Sequence, residues 1–180
     1  MIQNNRDFLF IYDATLCNPN GDPDQENKPR MDYDTKTLLV SDVRQKRNIR
    51  DFLSSKGYPI FVNTLNDKKV TMDDMFKVIM KKYDVEKADF DIKVETILKN
   101  LIDIRMFGSA LAVEKVTKAI TGPIQISWGY SLHPVDLVKS DSIVTIMNDD
   151  NSTFGKMYKA EYAMVAHCGS VNKFAAKKLD

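Results

Sequence analysis

The chain has few of the residues that build most catalytic and metal centres. Two cysteines and two histidines are spread over 180 residues. Cys17 and Cys168 show no metal-ligand spacing and imply no disulfide framework, so a reducing, cytoplasmic setting is expected. His133 and His167 have no partner nearby in the sequence. Nucleophile elbow, zinc motif and phosphate loop are all absent, so no catalytic residue, metal or cofactor is expected. No apolar run reaches membrane-spanning length, and no charged segment precedes an apolar core as in a signal peptide. The formal net charge of +1 gives no whole-molecule attraction to a polyanion. Repeats and low-complexity stretches are also missing.

What is present supports a folded core. Hydrophobic residues make up 43% of the chain, which argues against global disorder. The length suits one domain, 1–180, with insertions. Charge is uneven. Residues 28–50 carry seven basic and three acidic groups, a local excess that suits an anionic partner bound at one place.

Residues 7–16 read as a buried strand. A long loop over 17–36 follows, rich in Pro, Gly, Asn and Asp. Ser41 can cap a helix running to about Lys56, with Arg44, Arg47 and Arg50 recurring on its exposed side. Residues 59–62 read as a short strand or extended connection. Residues 71–102 read as a helical hairpin inside an inserted subdomain, 65–105. Met72, Met75, Phe76, Ile79 and Met80 form one apolar stripe, and Val94, Ile97, Leu98 and Leu101 the other. An ambiguous stretch leads to a strand in which Ile124, Ile126, Trp128, Tyr130 and Leu132 alternate with polar residues. Two further strands, 142–147 and 156–167, flank a turn at 148–152, and a final helix starts near Asn172. The order of elements resembles a ferredoxin-like or RNA-recognition-motif core of the α+β class.

Four groups of residues could bind a ligand. The loop containing Asn20, Lys28 and Arg30 is the first. The helix carrying Arg44, Lys46, Arg47 and Arg50 is the second, since these cations can neutralise phosphates. Either could equally be an ordinary solvated surface. Arg105, Phe107 and Gly108 form the third; a phenylalanine beside glycine can stack on a base, although phenylalanine is more often core. The fourth is the polar side of the 124–133 strand, including Gln125, Ser131 and His133, which could bond riboses and bases or be the wet side of a sheet. Asp13, Asp22 and Asp24 near one loop leave a metal-assisted ribonuclease as a lesser reading.

Taken in order, NPNGDPD, NKPRMD, SDVRQKRNIRDFL and KGYPIF, then DIRMFG, TGPIQISWGYSLHPV and TFGKMYKAEYAMVAHCGSVN, resemble the CRISPR-associated backbone protein of the seventh Cas family, in its type I-B and I-C branches. The resemblance implies a hand-shaped protein. Its palm is a modified RNA-recognition-motif fold, its fingers are inserted helices, and its thumb is a β-hairpin, here 138–157. It implies a structural role and no enzymatic one. The partners would be CRISPR RNA, neighbouring copies of the same subunit, other Cascade subunits and, indirectly, target DNA. Arg44, Lys46, Arg47 and Arg50 would then hold phosphates. Asn20, Lys28 and Arg30 would lie near the RNA or the next subunit. Arg105, Phe107, Gly108, Gln125, Ser131 and His133 would belong to the palm. Members of the family normally continue beyond this length, which leaves the closing part of the palm unaccounted for and its sheet edge open. A fragment of a backbone subunit and a short, inhibitory homologue of anti-CRISPR type both fit that expectation.

Overall fold

A computed structural model describes residues 2–65, 68–113, 116–146 and 152–179; of these, the side chains of 139–146 and 152–156 are not described. In chain order the elements are β1 (Arg6–Cys17), β2 (Gly21–Asp22), β3 (Lys28–Pro29), β4 (Met31–Asp32), β5 (Thr37–Val40) and α1 (Asp42–Ser55). There follow α2 (Met72–Lys82), α3 (Phe90–Asn100), α4 (Ile102–Phe107), β6 (Gly108–Val113) and β7 (Val116–Thr121). The chain continues with β8 (Ile124–Ser131), β9 (Leu137–Ile146), β10 (Ser152–Val171) and α5 (Lys173–Lys177). The protein is thus α+β, and its strand pairs of known register are antiparallel. It divides into two compact units: Met1–Asp7, Lys46–Gln125 and Ser170–Asp180 in one, Phe8–Gln45 and Ile126–Gly169 in the other. Among the described residues, no helix is long and apolar enough to cross a membrane.

The first unit is built on α2 and α3. Thr71 Oγ1 accepts the Asp74 N–H and donates to the Asp74 carboxylate, which closes the start of α2 reciprocally. Met75, Phe76, Ile79 and Met80 are buried with Val94, Ile97 and Leu101, so both expected stripes are core. Met72 is the exception: it stays at the surface, where its sulfur accepts the Ala112 N–H. The stretch that is ambiguous in the sequence forms α4 and the β6–β7 hairpin, whose Leu111 and Val113 join the same core. Gly108 makes that junction possible. Its φ is +75°, and a Cβ there would sit 2.1 Å from the Ile120 carbonyl oxygen. Residues 59–62 form no strand; the chain bends at Phe61 and Val62, where the Asn63 N–H donates to the Phe61 carbonyl.

The second unit is a sheet of order β1-β10-β8-β5-β4, with β9 pairing β10 from the other end. Its small core is Ala14, Leu38, Val40, Val135, Ala160, Ala163 and Val165. The expected loop at 17–36 is more ordered than its composition suggests. Gly21 and Asp22 pair with Pro29 and Lys28, and Met31 and Asp32 pair with Leu38 and Thr37. Strands β9 and β10 run longer than expected because they pair with each other from Ala160↔Leu137 to Ser152↔Ile146, with a bulge between Gly155 and Met157. The turn expected at 148–152 falls almost wholly outside the described residues.

The β8 strand is turned the other way from what its pattern suggests. Gly129 is buried under the His167 ring, and a Cβ at Gly129 would lie 2.4 Å from His167 Nε2. Trp128, Tyr130 and Leu132, on the apolar side of the alternation, are exposed. Alternation reveals two unlike faces but does not say which one the fold covers.

Candidate nucleic-acid interface

Asn20 organises the cationic loop of the second unit. Its Oδ1 accepts both the Ser41 N–H (2.8 Å) and the Ser41 hydroxyl (2.9 Å), and its carbonyl accepts the Arg30 N–H (2.9 Å). Ser41 Oγ in turn accepts the Arg44 N–H at 3.2 Å, as an N-cap should. One asparagine therefore joins the loop to the start of α1. On the loop, Arg30 reaches Asp22 at 3.4 Å, while Lys28 lies 3.8 Å from Glu26 and 4.8 Å above the Tyr158 ring. Asp22 also accepts the Asp24 N–H. The side chains of Lys28 and Arg30 are about one-third exposed; Glu26 is a surface carboxylate, whereas Asp22 is largely covered. An exposed pair such as Lys28–Glu26 is worth roughly 0–1 kcal/mol, so Lys28 can turn to a phosphate at small cost. Arg44 is exposed at the head of α1. Burial raises the Tyr12 phenol above its usual pKa, Cys17 adds to the rise, and the nearby Arg44 charge partly offsets it.

In the first unit the remaining α1 cations have different roles. Arg47 pairs with Asp51 at 2.7 Å, one turn along, and donates weakly to the Val62 carbonyl; it remains accessible. Lys46 lies 6.0 Å over the Phe107 ring. Arg50 points inward. Its Nε donates to Asp103 Oδ2 at 3.0 Å, and its guanidinium lies 5.2 Å over the same Phe107 ring. Asp103 is fully buried and also accepts the backbone N–H groups of Phe61 (2.8 Å) and Val62 (3.1 Å). This carboxylate holds the bend at Phe61 and Val62 in place and has no sequence signature that marks it.

Phe107 is only 7% exposed and packs beneath cations, so it is core and not an open stacking surface. The polar groups of the 124–133 strand make internal hydrogen bonds. Ser131 Oγ donates to the His133 carbonyl and accepts the Leu38 N–H. His133 contacts the Pro134 carbonyl through Nδ1, accepts the Met164 N–H at Nε2 and stacks on Tyr162. In the first unit, Gln125 donates to the Gly122 carbonyl, and Gly108 is buried. Arg105 lines an apolar cavity of about 350 Å³ with Met106, Pro123 and Ile124.

Among the described residues, no group of three His, Cys, Asp or Glu side chains could hold a metal ion. Each unit thus presents cations on an ordered backbone, a chemistry of anion binding.

The family model of the CRISPR-associated protein Cas7 matches residues 4–180. The chain belongs to the Cas7 family. A CRISPR-associated protein Cas7 of Haloferax volcanii is 37% identical over 117 residues, which cover 64% of this chain and 34% of that protein. The chain thus spans about a third of the length of that curated relative. A solved chain described as a CRISPR RNA-guided surveillance complex, pre-nicking, shares the fold with a TM-score of 0.53 at 14% identity. The match covers 98% of this chain and 66% of that one.

Proposed function

We propose that this Cas7-family chain is a CRISPR RNA-binding backbone subunit of a type I Cascade effector complex that polymerises along its guide. The family match across residues 4–180 carries the reading. The ordered cations of the loop and helix α1 supply its chemistry. Lys28, Arg30, Arg44, Lys46 and Arg47 bind phosphates from well-ordered backbone, while Arg50 fixes the end of α1 through Asp103. Asn20 sets the loop for that task. Arg105, Gly108, Gln125, Ser131 and His133 shape the surface beside the RNA and leave base contacts to other groups.

The β1-β10-β8 order, with α1 between β1 and β8 in the chain, supports reading this sheet as part of a ferredoxin-like palm. In this reading α2 and α3 are the fingers and the β9–β10 hairpin is the thumb. The protein positions RNA and cleaves nothing. Binding of a single-stranded CRISPR RNA, followed against salt, tests the reading. Affinity should fall by about 0.7 log units per log unit of salt for each phosphate neutralised. Binding that ignores salt, or cleavage of the RNA with magnesium, contradicts it.

A further inference from the structure

Met164 of β10 is bound through both of its backbone groups, and one of its two partners is a side chain. Its carbonyl accepts the Leu132 N–H at 2.8 Å, and its N–H donates to His133 Nε2 at 3.3 Å. In a regular antiparallel ladder one facing residue supplies both partners. Here β8 stops at Ser131 and the chain bends at Leu132 and His133, so an imidazole stands in for the second backbone group. The other ring nitrogen, Nδ1, lies 2.8 Å from the Pro134 carbonyl. A carbonyl only accepts and a backbone N–H only donates. Both contacts therefore form together only when the ring is neutral with its proton on Nδ1. Tyr162 stacks on the ring at 5.5 Å, and His133 is half-buried, within reach of solvent protons. These contacts lie at the root of the β9–β10 hairpin, whose ladder begins at Leu137↔Ala160.

We propose that His133 is a proton-sensitive latch on the root of that hairpin. A second proton on the ring goes to Nε2. It turns the acceptor into a donor facing the Met164 N–H, so the bond is lost and that amide is left without its partner. The Leu132–Met164 bond joins two backbone groups and does not titrate, so the latch loosens β10 locally and leaves the strand pair in place. Tyr162 of β10 is the titratable group packed on the ring. The charged groups of the same root are Lys36 and Asp136, paired at 2.8 Å, and Glu161, whose N–H donates to the Asp136 carbonyl. The latch is closed where an imidazole is neutral and opens as pH falls through the range in which histidine changes charge, between about pH 8 and 5. It goes beyond the RNA-binding reading and stands without it.

The test is amide hydrogen exchange of the full chain, followed by NMR at about pH 8 and about pH 5 and corrected for the intrinsic rate at each pH. Protection of the Met164 N–H should fall roughly tenfold on the acid side, the scale of one lost hydrogen bond. The Leu101 N–H, bonded to the Ile97 carbonyl in the first unit, should keep its protection. His133→Phe keeps a ring beside Tyr162 but has no acceptor, so Met164 should be poorly protected at both pH values. In the wild-type chain the ring nitrogen shifts at about pH 8 should show the proton on Nδ1 and none on Nε2. Equal protection of Met164 at the two pH values overturns the proposal, as does a neutral ring with its proton on Nε2. So does a pH dependence that survives in His133→Phe, which would assign it to His167, the other histidine of the chain.

Discussion

Arg50 Nε donates to Asp103 Oδ2 at 3.0 Å, and that carboxylate is wholly buried while also accepting the N–H groups of Phe61 and Val62. Removing either partner leaves a charge without its counter-charge. Arg50→Ala and Asp103→Ala should each destabilise the chain by about 3–5 kcal/mol, and the double variant should cost much less than the sum. Urea denaturation of the four proteins checks this. Additive losses would mean that the two groups are not coupled.

The surface cations should behave oppositely. Arg44→Ala, Arg47→Ala and Lys28→Ala should leave stability within about 0.5 kcal/mol, as surface substitutions do. Each should weaken RNA binding and lower the salt slope by about 0.7. Arg50→Ala, measured in the temperature range where it stays folded, should keep the wild-type slope. A lowered slope for Arg50→Ala would return that residue to the RNA.

Gly129 has no room for a side chain. Gly129→Ala pushes a methyl group into the His167 ring and should cost about 1–3 kcal/mol in thermal or urea unfolding. His167→Ala in the same chain removes the clash. It should recover part of the loss relative to the sum of the single variants. No coupling between the two positions would contradict the close approach.

Tyr12 gives the chain a pH dependence at the alkaline end. Its phenol is held above the usual value, chiefly by burial, so the folded state binds that proton more tightly than the unfolded chain. The resulting stability is complete below the unfolded phenol pKa, about 10, and is lost as pH rises through the folded value. Tyr12→Phe should flatten the fall in stability above about pH 10. Because the Arg44 charge favours the phenolate, Arg44→Ala should push the Tyr12 titration still higher, read by phenolate absorbance. A shift downward would reverse the assigned sign.

Much of this was legible in the sequence where local chemistry decides. Ser41 and Thr71 cap their helices because a hydroxyl at that position meets an orphan N–H, whatever the fold around it. The stripes of α2 and α3 are buried because a helix of that period has one apolar side to hide. What stayed hidden depends on tertiary placement. Asp103 reads as an ordinary surface acid until the fold brings Arg50 and two backbone amides to it. Phe107 beside Gly108 reads as a stacking ring only against the commoner use of phenylalanine as core. The two-residue strands of the 17–36 segment are too short to leave a period, and their pairing is set by Asn20 and neighbours far along the chain. The polar side of β8 looked like a wet face because Ser131 and His133 are polar; here each satisfies the backbone of another strand or turn.

Native mass spectrometry of the protein mixed with a CRISPR RNA and its Cascade partners tests the central claim most directly. The account predicts a ladder of species with several copies on one RNA, shortened as salt rises. Particles that hold no copy of this chain, or a single copy that halts further addition, would contradict a working backbone subunit.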